Sequence, residues 1–269
     1  MERLLIVEKL EKHYASTQLL GTQKEVKALQ DVSFSVARGS TLALVGESAS
    51  GKSTLAFCVA CLERPTSGRI IFDGNEITAF DEKQLREVRP QIQLVFQDPA
   101  RSLNPRYSAI EIVSEPLLVR GRLDKRERED RARSLFAQVG IPEEKARQRV
   151  AEFSGGERQR LAIARALSLE PKLLILDEPL SALDCSVQAQ IANLLIELQA
   201  SLGLTYLFIT HDLAMAGHLS DEIAVMEQGR VVELDAADKI LRAPGKEATR
   251  RLIAATPRLG AVDRPPQVV

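Results

Sequence analysis

The sequence predicts an α/β fold, a parallel sheet with helices packed on it, and three observations carry the prediction. Residues 41–45 (TLALV) form a short apolar run, followed by the glycine-containing loop 46–54 (GESASGKST) and a stretch at 53–62 that reads as helix. Residues 173–177 (LLILD) are continuously apolar up to the final aspartate, as expected of a central parallel strand buried on both faces. That run is followed by apolar positions at 187, 191, 194, 195, 198 and 202, the spacing of an amphipathic helix, and then by a further strand at 204–209. Between these two α/β stretches, residues 107–152 change to helical apolar spacing and higher charge density, which reads as an inserted helical subdomain.

In chain order, residues 4–10 (LLIVEKL) read as a strand, Tyr14 follows, and the polar stretch 15–27 reads as a loop. Residues 31–36 alternate, so an antiparallel β element is expected before the strand at 41–45. After the first helix, Pro65-Thr66-Ser67-Gly68 is turn chemistry, and 69–73 is a strand ended by Gly74. Asp81 is the expected N-cap of a short helix that stops before Pro90. Residues 91–96 form a strand stopped by Asp98-Pro99. The charged run 120–133 interleaves acids with bases, which favours a solvated helix face with i,i+4 pairs over a nucleic-acid patch. Residues 222–226 and 230–234 flank Gln228-Gly229 and read as a hairpin. Residues 236–254 read as helix, and 256–269, with three prolines, as a poorly ordered tail.

Composition narrows the function classes. With 36 basic and 37 acidic residues the net charge is −1, so there is no electrostatic case for nucleic acid or an anionic membrane surface. The longest apolar run, 55–62, is far short of the ~20 residues that span a bilayer. The N-terminus carries acids and lacks a signal-peptide apolar region, so a soluble intracellular protein is expected. The three cysteines, Cys58, Cys61 and Cys185, fit a reducing compartment. Cys58-x-x-Cys61 has no second pair and lies among apolar residues, so it reads as packing rather than as a metal or redox motif.

The chemistry starts at the loop. Gly46, four residues, then Gly51-Lys52-Ser53 is the phosphate-binding P-loop pattern. Its four fixed positions match by chance on the order of 0.01 times in a chain of this length, by average composition. Strand, loop and helix N-terminus direct backbone N–H groups and the helix dipole at an anion. Lys52 is expected to reach the β- and γ-phosphates of a nucleotide, and the Ser53 hydroxyl to ligate Mg²⁺. The strand 173–177 carries Asp177 to its carboxyl end, where ligands of open α/β sheets bind, so Asp177 is expected to hold Mg²⁺ through water. Glu178, one residue on, is expected to point to the opposite side and to act as general base toward an attacking water. Ser154-Gly155-Gly156 opens onto a further helix and is on its own a weak anion-site signal.

Taken in order, GESASGKS, Gln97 after a strand, FSGGERQR at 153–160, LLILDEP at 173–179, Ser181-Ala182-Leu183-Asp184 and His211 after a strand resemble the nucleotide-binding subunits of ABC transporters. The resemblance covers residues 4–255. It implies a P-loop NTPase with a RecA-like core, an N-terminal antiparallel β subdomain and an inserted α-helical signature subdomain. On that reading residues 1–255 are the ATPase domain, the helical subdomain spans about 100–168, and 256–269 are a tail. The resemblance implies ATP and Mg²⁺ as ligands. It assigns nucleotide binding to the loop Gly46, Glu47, Ser48, Ala49, Ser50, Gly51, Lys52, Ser53 and Thr54, and adenine stacking to Tyr14. Gln97 would touch Mg²⁺ or water and link to membrane subunits. Ser154, Gly155 and Gly156 would clasp the γ-phosphate across a dimer interface, with Asp184 nearby, and His211 would contact the γ-phosphate. The implied partners are a second ATPase subunit, identical or different, two membrane-spanning permeases and an external solute-binding protein. Nucleic acid is not among them, and the implied location is the inner face of the cell membrane.

The loop between Tyr14 and Asp31, the runs at 102–106 and 111–117 and the tail 254–259 look like those of the dipeptide, oligopeptide and nickel importers. The alternative readings are an ABC subunit of a soluble complex, as in carbon–phosphorus lyase, and a structural ABC ATPase of DNA repair. Missing coiled-coil or zinc insertions and the neutral charge disfavour the latter. Three positions depart from the family pattern: Ala49 for a frequent glycine, Glu157 for the usual signature glutamine, and residues 245–249 (GKEAT) for a His-Pro-Tyr-Thr segment. Ala49 is expected to cost little unless the loop needs positive φ there.

Overall fold

The computed structural model describes residues 2–17 and 23–255; the tail expected at 256–269 lies outside them. β1 (Arg3–Thr17) and β2 (Gln23–Ala37) form a long antiparallel pair, with Tyr14 opposite Val26 and Ala15 opposite Glu25. The loop expected at 15–27 is therefore largely strand. Glu25, Val26 and Lys27 are exposed there, so no buried face imposes apolar alternation.

β3 (Thr41–Val45) and α1 (Lys52–Val59) follow, then β4 (Ser67–Phe72) and β5 (Asn75–Glu76). β4 begins inside the expected turn, because Ser67 pairs with Glu11 of β1. The first sheet has the order β2-β1-β4-β5 and is antiparallel throughout. α1 is shorter than expected. Cys61 turns left-handed at φ 56°, and Leu62 is 59% exposed. The freed Cys61 carbonyl accepts from the Arg89 guanidinium at 3.3 and 3.2 Å, which satisfies one of the acceptors that a helix end leaves over. Burial pushes the Cys58 thiol up to about 12 and that of Cys61 up to about 11, so both remain protonated and poorly nucleophilic.

α2 (Glu82–Val88) starts at Asp81 with a reciprocal capping box to Gln84, as the sequence predicts. β6 (Ile92–Val95) leads into α3 (Pro99–Ser102), α4 (Ala109–Arg120), α5 (Lys125–Val139) and α6 (Gly155–Leu167). The charged run 120–133 is not one helix face. Gly121, at φ 67°, ends α4, and Asp124 caps α5 by bonding the Glu127 amide. The pairs Lys125–Glu129, Arg126–Asp130 and Arg133–Glu129 do lie at i,i+4 spacing on α5. As surface pairs they contribute about 0.3–0.5 kcal/mol each.

β7 (Leu173–Asp177), α7 (Cys185–Leu202), β8 (Thr205–Thr210), α8 (Leu213–Leu219), β9 (Glu222–Glu227) and β10 (Arg230–Ala236) complete the second sheet. Its order is β10-β9-β3-β8-β7-β6, parallel except for β10. Strand alternation divides the core. Leu42, Leu44, Leu173, Ile175, Leu207 and Ile209 pack with α1 and the antiparallel sheet. Ala43, Val45, Leu174, Leu176 and Phe208 pack with α4–α8. Each central strand is buried on both faces, which is why it reads as an unbroken apolar run.

The helix expected at 236–254 is two helices, α9 (Ala237–Arg242) and α10 (Glu247–Ala255). Pro244-Gly245 breaks them apart. Glu233 of β10 holds the break: its carboxylate accepts from the amides of Gly245 at 2.7 Å and Lys246 at 3.1 Å, and from the buried Thr249 hydroxyl. The unusual 245–249 segment is thus anchored to the sheet edge.

Candidate active site

β3 delivers the P-loop to the carboxyl end of the parallel sheet. The two fixed glycines are there because nothing else fits. A Cβ on Gly46 would stand 2.3 Å from the Met226 carbonyl oxygen, and one on Gly51, at φ 103°, 2.5 Å from that of Ala28. Lys52 folds back into the loop it follows. Its Nζ donates to the carbonyls of Gly46 and Glu47, both at 2.8 Å, and to Ser50 Oγ at 3.4 Å. Burial lowers the Lys52 pKa, opposed by the carboxylates of Glu178 and Asp177. The side chains of Glu47 and Ser48 are exposed, and Ser50 is buried under the loop.

Ala49 sits at φ 63°, in the region that favours glycine. The condition under which this departure carries a cost is therefore met. Left-handed backbone costs an L-residue about 1–2 kcal/mol, partly offset by the extra chain entropy a glycine loses on folding. Ala49→Gly is expected to raise stability by up to about 1 kcal/mol in thermal unfolding. A lower midpoint would contradict the strain.

Ser53 Oγ donates to Asp177 Oδ1 at 3.4 Å, so the first helical turn of α1 and the end of β7 meet at one point. Burial raises the Asp177 pKa, and the Ser53 contact works against it. Glu178 lies beyond the strand, left-handed at φ 47°, with its amide donating to the Ile209 carbonyl at 2.9 Å. The two neighbouring carboxylates have separate partners. Glu178 Oε2 accepts from Gln97 Nε2 at 3.0 Å and lies 3.3 Å from His211 Nδ1. Gln97 also donates to Ser181 Oγ at 3.4 Å, and Ser181 donates to the Glu178 carbonyl at 3.1 Å. Gln97, Glu178 and His211 follow β6, β7 and β8, three adjacent parallel strands. Residues separated by up to 114 positions (211 − 97) thereby meet at one carboxylate.

These groups line a groove of about 690 Å³. Tyr14 forms part of its wall, with its hydroxyl donating to Glu63 Oε2 at 2.6 Å. Burial and the Glu63 contact raise the tyrosine pKa, so the ring stays neutral. Val26, Lys27, Ala28 and Gln30 of β2, and Gln228-Gly229, line the same groove without having been singled out as site residues. The hairpin turn at Gln228-Gly229 braces the P-loop. The Gly229 amide donates to the Ser50 carbonyl at 3.0 Å, and the Gly229 carbonyl accepts from the Gln30 amide at 2.8 Å. Turn chemistry was the only sequence signal at that position.

Ser154, Gly155, Gly156 and Asp184 do not line this groove. They make a surface of their own. Ser154 caps α6, Asp184 caps α7, and a Cβ on Gly156 would stand 2.5 Å from Val187 Cγ1 in the first turn of α7. Ser154, Gly155 and Asp184 are exposed.

The family model described as ABC transporter matches residues 29–181, more than half of the chain. The chain belongs to this family. The dipeptide transport ATP-binding protein DppF of Escherichia coli (strain K12) is 46% identical over 95% of this ABC chain and 77% of its own length. The di/tripeptide transport ATP-binding protein DppF of Pseudomonas aeruginosa (strain UCBPP-PA14) is 43% identical over 96% and 80%. The ATP-binding cassette MJ0796, in a dimeric post-hydrolysis state with ADP and Pi, superposes with a TM-score of 0.77 at 30% identity, covering 87% of this chain and 98% of that one. The protein cbiO1 of Clostridium perfringens, part of the ABC transporter complex cbiONQ, gives 0.78 at 33% identity over 96% and 97%. The fold is that of an ABC ATPase, and the chain is an ATP-binding, ATP-hydrolysing subunit. Among the described residues no helix is long and apolar enough to cross a membrane.

Proposed function

We propose that this subunit powers import of peptides or a related small solute, with hydrolysis at the groove between the P-loop and Glu178. The observation that carries the site is the convergence of Gln97 and His211 on Glu178, beside the buried pair of Lys52 and Asp177. The residues suit a magnesium-bound triphosphate. Gly46 and Gly51 leave a cradle that side chains would fill, Lys52 is a buried cation, and Ser53 with Asp177 offers hard oxygen donors. Ser53, Asp177 and Gln97 would hold Mg²⁺, which when bound supplies charge neutralisation on the phosphates.

The chain's own residues do the rest. Lys52 and the loop amides meet charge on the terminal phosphate. Glu178 orients a water and takes its proton. Gln97 and His211 hold the Glu178 carboxylate in place, and Tyr14 offers a ring for the base. Ser154–Gly156, lying outside the groove, serve the nucleotide held by a second ATPase subunit. Each site is then shared, and nucleotide binding draws two subunits together.

The peptide reading rests on the dipeptide and peptide transport relatives, which also favour a transporter over a soluble carbon–phosphorus lyase-type complex. A groove of about 380 Å³ between β6, α4 and α6, rimmed by exposed Phe96 and Val119 next to Gln97, supports contact with a permease there. On this reading the subunit sits peripherally on the inner face of the cell membrane. Isolation through a tag on this chain tests the reading. A detergent-extracted permease pair, with ATP turnover stimulated by a peptide-loaded binding protein, is expected. A soluble complex without a permease would refute it.

A further inference from the structure

Glu157 puts a carboxylate in the first turn of α6, the helix that opens at Ser154-Gly155-Gly156. It works there as part of a capping box: Oε2 accepts from the Ser154 amide at 2.9 Å, and the Glu157 amide donates to Ser154 Oγ at 3.3 Å. For the helix alone this is favourable, because an acid in the first turn complements the dipole. For an anion approaching the same N-terminus it is not. An ionised carboxylate competes with the dipole and repels a phosphate.

The fold answers this with Lys145, placed by the turn that follows α5. Lys145 Nζ contacts Glu157 Oε1 directly and stands 5.5 Å from the centre of the Phe153 ring. The pair is about one-third exposed on each side. Lys145, with the Ser154 backbone, holds the Glu157 carboxyl below the usual range, so the carboxylate is charged whenever the protein works. Oε1 is taken by Lys145 and Oε2 by the Ser154 amide. Arg158, the next residue, is turned away onto the carbonyls of Val150 and Ala151 at 3.2 and 2.9 Å. Lys145 is therefore the cation that neutralises this carboxylate.

We propose that Lys145 is a positioning residue for the loop Ser154–Gly156, masking the charge of Glu157 so that the loop can accept a nucleotide γ-phosphate held by the other ATPase subunit. This rests on the shared-site reading above. Lys145 touches no nucleotide itself. It acts through Glu157, and its contribution appears only when two subunits close.

The test uses ATP turnover by the complex isolated through this chain, together with ATP binding to the chain alone. Lys145→Met is expected to lower turnover about tenfold, equivalent to about 1.4 kcal/mol, while ATP binding to the chain's own P-loop stays within twofold. The double variant Lys145→Met/Glu157→Gln removes the ion pair altogether but also removes the bare carboxylate, and is expected to return turnover to within about twofold of the parent. A merely structural ion pair predicts the opposite, a double variant as impaired as the single one. That result, or an unimpaired Lys145→Met complex, overturns the proposal. Ser154→Arg, a bulky change at an exposed position, tests the reading underneath. If it leaves turnover unimpaired, the shared site itself has failed. If it abolishes turnover while Lys145→Met has no effect, only the role of Lys145 has. Thermal unfolding of each variant checks that the chain is folded.

Discussion

Glu178→Gln is expected to retain ATP binding while turnover falls by about 10²–10⁴-fold, the usual contribution of a general base. The geometry makes the substitution clean. Gln97 Nε2 and His211 Nδ1 approach one oxygen, Oε2, and an amide in that position keeps the volume and an acceptor. What it loses is the ability to take a proton from water. The P-loop is untouched, since Lys52 is held by the carbonyls of Gly46 and Glu47. With hydrolysis stopped and binding intact, a nucleotide-bound pair of ATPase subunits should accumulate, measurable by sedimentation with and without ATP. Parent-level turnover in this variant would remove Glu178 from the role of base. Loss of ATP binding would show that its charge serves the ground state instead.

Gly51→Ala is expected to be the most damaging small substitution in the loop, costing about 3 kcal/mol and at least tenfold in ATP affinity. Two costs act together. The backbone is at φ 103°, outside the range L-residues adopt readily, and the new methyl would stand 2.5 Å from the Ala28 carbonyl oxygen. That carbonyl belongs to β2, whose neighbouring residue Gln30 is bonded to Gly229, so it cannot simply withdraw. Gly74→Ala provides the control. Its φ is 77°, but nothing lies within 4 Å of the added methyl, so it pays only for the dihedral, about 1 kcal/mol. Equal midpoints for the two variants in thermal unfolding would mean that the contact with β2 contributes nothing.

Local sequence determined the chemistry-bearing elements of this protein. The P-loop, the strand ending in Asp177, the helix cap at Asp81 and the helix opening at Ser154 are legible because each depends on residues within a few positions of one another. A tight turn needs Gly46 and Gly51, a doubly buried strand needs Leu173–Leu176, and a helix start needs an oxygen at its N-cap. Tertiary structure alone decided what those elements meet. The turn at Gln228-Gly229 was visible as a turn, yet only the sheet order, which sets β9 beside β3, makes it a brace on Ser50. Residues 15–17 and 23–27 were read as loop because these strand ends lack a buried face at Glu25, Val26 and Lys27, and they supply Val26 and Lys27 to the groove. One apparent helix at 236–254 is two: Pro244-Gly245 interrupts it locally, and Glu233, on a different element, fixes the broken segment in place with three hydrogen bonds. Ala49 shows the division within one residue: its identity was plain from the start, but its cost is set by a backbone angle that the loop's closure imposes.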